Sequence, residues 1–286
     1  MKFTRSAKFA LAAAASAALA VTLLTPAQAA TRSTVILHET NPITGLNCSL
    51  SATNSTTCSA VSYVQGAGFN YYNNKKELVK NTVFGSYKIT KKAANDFRVQ
   101  YTVNPGRLWS DGTPINAVDL LLSHVLSSDA YSIAAGLGDP KSKTSKPAFN
   151  GLGYSGVYAN NIVGDPVLSA DKMSVTLQYK KPIANWDIYG PGPSPVHTLV
   201  LMAEGKTSLQ SVSANEDARD RFLKAFQTKD TDLLKKMGKI WSEDYTITTV
   251  NDKTNPLLLV GNGGFIIDNA VAKTSVTLKK NPKYNS

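Results

Sequence analysis

The 286-residue chain contains few of the side chains that most often carry metal or thiol chemistry, with only three histidines and two cysteines. His38, His124 and His197 stand far apart, without the close spacing of a typical metal site. The glycine-rich residues 261–264 are not followed by the Gly-Lys-Ser/Thr of a phosphate-binding loop, which indicates a backbone bend instead. We therefore expect no bound metal and no cofactor.

Long apolar runs are also missing, except near the amino terminus. Residues 1–8 carry three cations, residues 9–24 form an alanine-rich apolar run, and Ala27 and Ala29 supply the small side chains that a signal peptidase requires. A membrane anchor is the alternative, but the run is shorter than the roughly 20 residues of a transmembrane helix. We therefore predict a cleaved signal peptide at residues 1–29, which leaves 257 of the 286 residues in the mature protein.

Acidic residues are scarce as well, since 20 of them face 31 lysines and arginines. The net charge is +11, and loss of the three cations in the signal peptide reduces it to +8. The lysine pairs are scattered and export separates the protein from DNA and RNA, so we expect no nucleic-acid partner. No cysteine stands at the predicted cleavage point. We expect an exported protein, in the periplasm or at the cell-envelope exterior, that is not lipid-anchored.

The two cysteines, Cys48 and Cys58, lie in a stretch rich in serine, threonine and asparagine. In an exported protein this setting favours a disulfide over a metal site or a catalytic thiol. A pair of unlinked thiols is the alternative. The predicted bond closes a short loop, so it would fix that loop and not the whole fold.

The clearest secondary-structure pattern is the strict alternation of apolar and polar residues at positions 97–103, which predicts a half-buried strand. Capping, periodicity and chain-breaking residues predict the remaining elements. We expect strands at residues 34–37 (largely buried), 173–179, 257–260, 265–267 and 275–278, helices at 116–127, 197–203, 216–227 and 232–241, and loops at 41–58, 136–156 and 190–195.

No catalytic motif is complete. Residues 153–156 read Gly-Tyr-Ser-Gly, which lacks the final glycine of the G-x-S-x-G nucleophile elbow, and no apolar strand precedes them. They therefore indicate a turn. The residue chemistry favours a binding protein over an enzyme.

A series of motifs sharpens this interpretation. Residues 97–114 read FRVQYTVNPGRLWSDGTP and lead into a predicted helix that contains Asp119. This order resembles the strand, W-S-D-G-x-P turn and helix of the family 5 extracellular solute-binding proteins, the oligopeptide- and dipeptide-binding components of ABC importers. Further matches follow in the family's order at residues 69–73, 77–78, 180–182, 194–197, 261–265 and 278–284.

The resemblance implies a mixed α/β fold of the periplasmic-binding-protein type (type II, peptide-binding subclass). Residues 30–68 and 187–286 would form the first-lobe domain in two segments, with residues 69–186 inserted as a smaller domain. Chains of this family are much longer, and residues 281–284 normally stand near the entry to the second lobe. We therefore expect the second ligand-binding lobe to be absent, as in a truncated chain or gene fragment.

The function implied by the resemblance is capture of a peptide or similar small solute, in a cleft between lobes, for delivery to the membrane permease of an ABC importer. We expect a monomer. The loop after the first strand would line the cleft, so the leading ligand contacts are Ser55, Thr56 and Thr57. A second group comprises Tyr131, Pro191, Gly192 and Asn262. Trp109, between a strand and a turn, indicates a residue of the core and not a ligand contact.

Two other functions remain open at this point. A secreted hydrolase would require Ser155, His197 and Asp187 to converge. A cell-wall-associated surface protein would use the +8 charge to bind anionic envelope polymers.

Overall fold

The computed structural model describes residues 34–184, 186–188 and 190–285, so the predicted signal peptide lies outside the described residues. The chain divides into two units after His38. Of the first unit only residues 34–38 are described, and they belong to no helix or strand. Val35, Ile36 and Leu37 are each more than 70% exposed. The predicted buried strand is therefore wrong, because an apolar run becomes a strand only where another segment hydrogen-bonds to it.

The second unit contains seven α-helices and eight strands among the described residues. The helices are α1 (Thr56–Gln65), α2 (Leu121–Val125), α3 (Asp129–Ala134), α4 (Val157–Asn161), α5 (Val196–Ala203), α6 (Val212–Thr228) and α7 (Thr231–Glu243). The strands are β1 (Asn70–Tyr72), β2 (Leu78–Lys80), β3 (Gly85–Ala93), β4 (Asp96–Val103), β5 (Val167–Leu168), β6 (Ser174–Tyr179), β7 (Phe265–Val271) and β8 (Ser275–Lys280).

The central sheet has the antiparallel strand order β3-β4-β6-β5. The alternating residues of β4 and β6 turn every second side chain into the core, where Phe97, Val99, Tyr101 and Val103 are at most 1% exposed. Both strand predictions here are confirmed. The main core continues from this sheet into helices α5 to α7.

Most predicted helices are confirmed, although their bounds differ. Ser211 caps α6, which begins four residues before the predicted start, and Asp230 caps α7. The helix predicted at 116–127 is instead a 3₁₀ turn, Ala117–Leu120, followed by the short α2. Asn116 and Asp119 form a reciprocal capping box at its start.

Two further predictions are corrected. Residues 56–65 form α1, which overlaps the loop predicted at 41–58, because Ser55 caps the helix and accepts a hydrogen bond from the Cys58 amide. The strand predicted at 257–260 is a 3₁₀ helix, Pro256–Leu259. Asn255 caps this helix and the proline stands at its first position, where a missing amide hydrogen costs nothing. The loops at 136–156 and 190–195 are confirmed.

A small second core lies beneath the β7–β8 hairpin, around Val250, Ile267 and Ala270. Its partly buried neighbours, such as Leu46 and Val61, all come from the two segments predicted to form the first-lobe domain. The main core, by contrast, runs across the predicted boundaries near residues 68 and 186. The domain division therefore stays a prediction.

Within the described ranges, no helix is both long enough and apolar enough to cross a lipid bilayer.

Candidate functional site

The disulfide between Cys48 and Cys58 is confirmed, with the two Cα atoms 5.7 Å apart. Cys58 is 1% exposed in the first turn of α1, so the bond ties the preceding loop to the start of this helix. The part of the predicted cleft-lining loop from Cys48 to Cys58 is therefore closed by the bond.

The three leading ligand contacts lie at this helix start, but they differ in what they can offer a ligand. The Ser55 hydroxyl accepts from the Cys58 amide at 3.2 Å and lies 3.0 Å from the Thr44 hydroxyl. Thr57 is buried and donates to the carbonyl of Asn41. Thr56 is exposed, and its hydroxyl makes no hydrogen bond to the described residues. Of the three, Thr56 therefore has the side chain that is free to bind.

The glycine-rich segment 261–264 is a backbone bend, as predicted, and it contacts the end of α1. The Gly263 amide donates to the Gln65 carbonyl at 2.7 Å. A Cβ atom at Gly263 would lie 2.4 Å from the Val64 carbonyl oxygen, so only glycine permits this approach. Asn262 is 6% exposed, and its amide group both donates to and accepts from the backbone of Ala67. Its side chain therefore connects two chain segments.

Two more segments meet at the same bend. The Ser110 amide donates to the Gly261 carbonyl at 2.8 Å. The fully buried Asn281 donates through its side chain to the Gly263 carbonyl at 2.9 Å. The bend thus fixes the end of α1, the W-S-D-G turn and the carboxyl-terminal segment relative to one another.

A shallow pocket lies beside this junction. Its lining includes Arg107, Asn262, Tyr284 and two further asparagines, Asn81 and Asn285, above an apolar floor. Arg107 Nη1 donates to the Asn285 carbonyl at 2.6 Å, whereas its buried Nε has no partner in the described part of the chain. The pocket therefore offers one buried donor without a partner in the described residues, the Arg107 Nε.

The remaining predicted contacts lie elsewhere. Tyr131 is 1% exposed, stacks on Phe226 with ring centroids 4.8 Å apart, and donates its hydroxyl to the Phe226 carbonyl at 2.8 Å. Its side chain is thus fully engaged in the core, where a ligand could not reach it. Pro191 is buried and Gly192 is exposed, with its carbonyl accepting from Ser123 at 2.9 Å.

A buried polar network behind the W-S-D-G turn was not predicted. His197 Nε2 lies 2.8 Å from Asp111 Oδ2, and Asn215 donates to the same oxygen at 3.2 Å and to the Thr113 hydroxyl at 2.8 Å. Burial favours a raised pKa for the Asp111 carboxyl, but the hydrogen bond to His197 and the Thr113 amide hold that pKa below its ordinary value. The network fastens the turn to α5 and α6.

A second carboxylate, Asp119, is fully buried next to this network. Trp109 is 2% exposed, and its indole N–H donates to Asp119 Oδ2 at 3.4 Å. Arg219 Nη1 lies 3.5 Å from the same oxygen. Burial raises the pKa of Asp119, and the Arg219 charge opposes that rise. The expectation that Trp109 belongs to the core is confirmed.

The residues of the hydrolase alternative do not form a catalytic triad. Ser155 donates to Asp129 at 3.2 Å, whereas the carboxylate partner of His197 is Asp111 and not Asp187. Within the described ranges, no group of three histidine, cysteine or acidic side chains could hold a metal ion.

Comparison with known proteins identifies the fold. No protein-family model matches the sequence, and no curated protein matches it at a significant level. The solved structure of the periplasmic EDTA-binding protein EppA superposes with a TM-score of 0.53 and 16% sequence identity, over 86% of this chain and 35% of that chain. The chain has part of the fold of a periplasmic binding protein. The predicted mixed α/β class of this type is thereby confirmed.

Oligopeptide-binding proteins also superpose on this binding-protein fold. The protein from Thermus thermophilus, complexed with a pentapeptide, gives a TM-score of 0.49 at 16% identity over 86% of this chain and 37% of its own. OppAIV from Borrelia burgdorferi gives 0.49 at 16% identity over 85% and 38%. The chain thus spans little more than a third of the length of these structures.

The disulfide allows a direct test of how the α1 start is held. The double substitution Cys48→Ser/Cys58→Ser is expected to lower the free energy of unfolding by at most about 3 kcal/mol, because the closed loop is short. Folding should survive. Chemical denaturation measures the loss, and mass spectrometry without reductant checks that the parent carries the bond. Two free thiols in the protein purified without reductant would contradict the prediction.

Proposed function

We propose that this chain is an exported, non-enzymatic solute-binding protein of an ABC importer. The observation that carries the proposal is the superposition on a periplasmic binding protein over 86% of the chain. The motif series around the W-S-D-G turn supports the same assignment. Capture of a solute outside the cytoplasm and delivery to a membrane permease follow from it as proposals.

The proposed solute is a peptide or a similarly small polar molecule. This class rests on the resemblance of residues 97–114 to the peptide-binding components of importers. A peptide presents carbonyls, amides and a carboxylate, which require donors as well as acceptors on the wall of the site.

The proposed contact surface is the start of α1. The Thr56 hydroxyl is free, and the first amides of a helix carry a partial positive charge that suits a carbonyl or carboxylate. The disulfide removes freedom from this surface before a ligand arrives, which lowers the entropy lost on binding. Tyr131 belongs to the main core and not to this surface.

Affinity tests the proposal. Residues 30–286 by themselves would supply one wall of a cleft, which leaves much of a bound ligand in water, so its polar groups still compete with solvent. For residues 30–286, screened by thermal shift against di- to pentapeptides, we expect the best peptide to bind with a dissociation constant on the order of 1 mM by calorimetry. Thr56→Val should weaken it roughly fivefold, the effect of one hydrogen bond.

The matched control is Thr277→Val, which removes an exposed threonine hydroxyl on β8. Its affinity should equal that of the parent. Micromolar binding by the parent would contradict the one-walled site, and equal effects of the two substitutions would contradict the role of Thr56. Hydrolysis of a peptide by the parent, abolished in His197→Ala, would contradict the proposal and support the hydrolase alternative.

A further inference from the structure

Three tyrosines near the β1–β2 pair are half-exposed. Tyr63, Tyr71 and Tyr72 are 54%, 46% and 50% exposed. The Tyr63 hydroxyl donates to the Tyr72 carbonyl at 2.7 Å and accepts from the Tyr72 amide at 2.9 Å, which joins α1 to β1. The Tyr63 ring is therefore held against the backbone of β1 at Tyr72, and both side chains remain about half exposed.

The chain around these rings is strongly basic. Residues 75–107 contain only two acidic residues, Glu77 and Asp96, against eight cations: Lys75, Lys76, Lys80, Lys88, Lys91, Lys92, Arg98 and Arg107. Asp96 is already paired with Lys91 and Arg98. The exposed lysines at 75, 76, 88 and 92 form no ion pair with the described residues.

Contacts connect the basic segment to the tyrosines. Lys80 Nζ lies 4.9 Å above the Tyr87 ring, and the Tyr87 hydroxyl donates to Asn70 Oδ1 at 2.8 Å. Asn70 begins β1 two residues before Tyr72, and Lys75 and Lys76 lie in the turn between β1 and β2. Tyr72 shares a face of the β1–β2 pair with Lys80, whereas Tyr71 points to the opposite face. We call Tyr63, Tyr72, Lys75, Lys76 and Lys80 the tyrosine–lysine surface.

Lysines on an edge strand alone can serve to prevent sheet-to-sheet pairing. Exposed aromatic rings have the opposite effect, because they add apolar surface that promotes association. Their combination on one surface therefore fits a partner that offers both flat apolar faces and negative charge. Pyranose rings present such faces, and uronic acids add a carboxylate to each ring.

We propose that the tyrosine–lysine surface binds an anionic polysaccharide. The tyrosine rings pack against the apolar faces of the sugars, and the lysines pair with the carboxylates. A neutral glycan would leave the lysines without partners. This binding is independent of the proposed solute site, since none of its residues is among the predicted ligand contacts.

The test is affinity electrophoresis or calorimetry of residues 30–286 with polygalacturonate, and with neutral dextran for comparison. We expect salt-sensitive binding to polygalacturonate alone. Lys75→Gln/Lys76→Gln and Tyr72→Ala should each weaken it roughly fivefold. Lys235→Gln/Lys236→Gln, an equal charge change at exposed positions on α7, should leave it unchanged. Thermal melting checks that each variant is folded.

Several results would overturn the proposal. If the Lys235→Gln/Lys236→Gln variant on α7 lost as much affinity for polygalacturonate as Lys75→Gln/Lys76→Gln, the binding would reflect the overall positive charge and not this surface. Full binding by the tyrosine variant would exclude ring contacts. Binding to polyglutamate as strong as to polygalacturonate, or binding to anionic phospholipid vesicles in place of polygalacturonate, would assign the surface to another class of partner.

Discussion

Replacement of Arg219 by alanine is expected to lower the free energy of unfolding by about 3–5 kcal/mol, because it leaves a buried charge without its partner. The Arg219 side chain is 6% exposed and Asp119 is completely buried. The arginine also donates to the Pro114 carbonyl, so its loss leaves a second buried group with one hydrogen bond fewer. Chemical denaturation measures the difference.

Arg221→Ala on the same helix is the matched control. Arg221 pairs with Glu204 through two hydrogen bonds, but both side chains are about a third or more exposed. A surface pair of this kind contributes no more than about 1 kcal/mol. If both variants lost a similar amount of unfolding free energy, the burial of Asp119 would not explain the loss in Arg219→Ala.

The loss in Arg219→Ala should also depend on pH. Because the pKa of Asp119 is raised in the folded state, ionisation of this group favours unfolding as pH rises above its unfolded value of about 3.9. Without Arg219 the pKa rises further, so the gap between parent and variant should stay constant while folded Asp119 is protonated in both and widen once pH rises through the raised folded-state pKa of the parent. A gap that does not change with pH would attribute the loss to packing alone.

Trp109→Ala is expected to cost about 3–5 kcal/mol, since a large buried side chain leaves a cavity that its neighbours cannot fill. Trp109 is 2% exposed, and Asp119 loses the indole N–H as well. Trp109→Phe keeps most of the ring volume and should cost clearly less. Far-ultraviolet circular dichroism follows the unfolding of both variants without relying on tryptophan fluorescence. A loss below about 1 kcal/mol for the alanine variant would contradict its role in the core.

The elements that sequence patterns predicted well are those whose stabilisation is local. Strand β4 alternates strictly, and α7 has a cap at Asp230 and an apolar stripe, so each is encoded within its own residues. Residues 34–37 have strand-like composition but no pairing segment within their described unit, and composition alone does not supply one. At Pro256–Leu259 the apolar run matches the pattern of a buried strand, so a strand was predicted although Asn255 and Pro256 are residues typical of a helix start.

The polar network could not be predicted from local pattern. Asp111 pairs with a histidine 86 positions away and with Asn215 across 104 positions. The motif match highlighted the W-S-D-G turn, but it did not reveal which buried groups would satisfy its carboxylate. At the α1 start, sequence chemistry selected a hydroxyl-rich segment, but only backbone geometry distinguishes Thr56 from the neighbours whose hydroxyls are engaged.

The glycine bend at 261–264 also determines when the chain can complete its fold. The carbonyl of Gln65 receives its hydrogen bonds from Asn262 and Gly263, nearly 200 residues later in synthesis. At about 5–20 residues per second, a ribosome needs roughly 10–40 s to make the intervening chain. Throughout that interval the end of α1 lacks the bend that it contacts in the folded protein, so the nascent amino-terminal segment stays accessible to chaperones that bind unfolded chains.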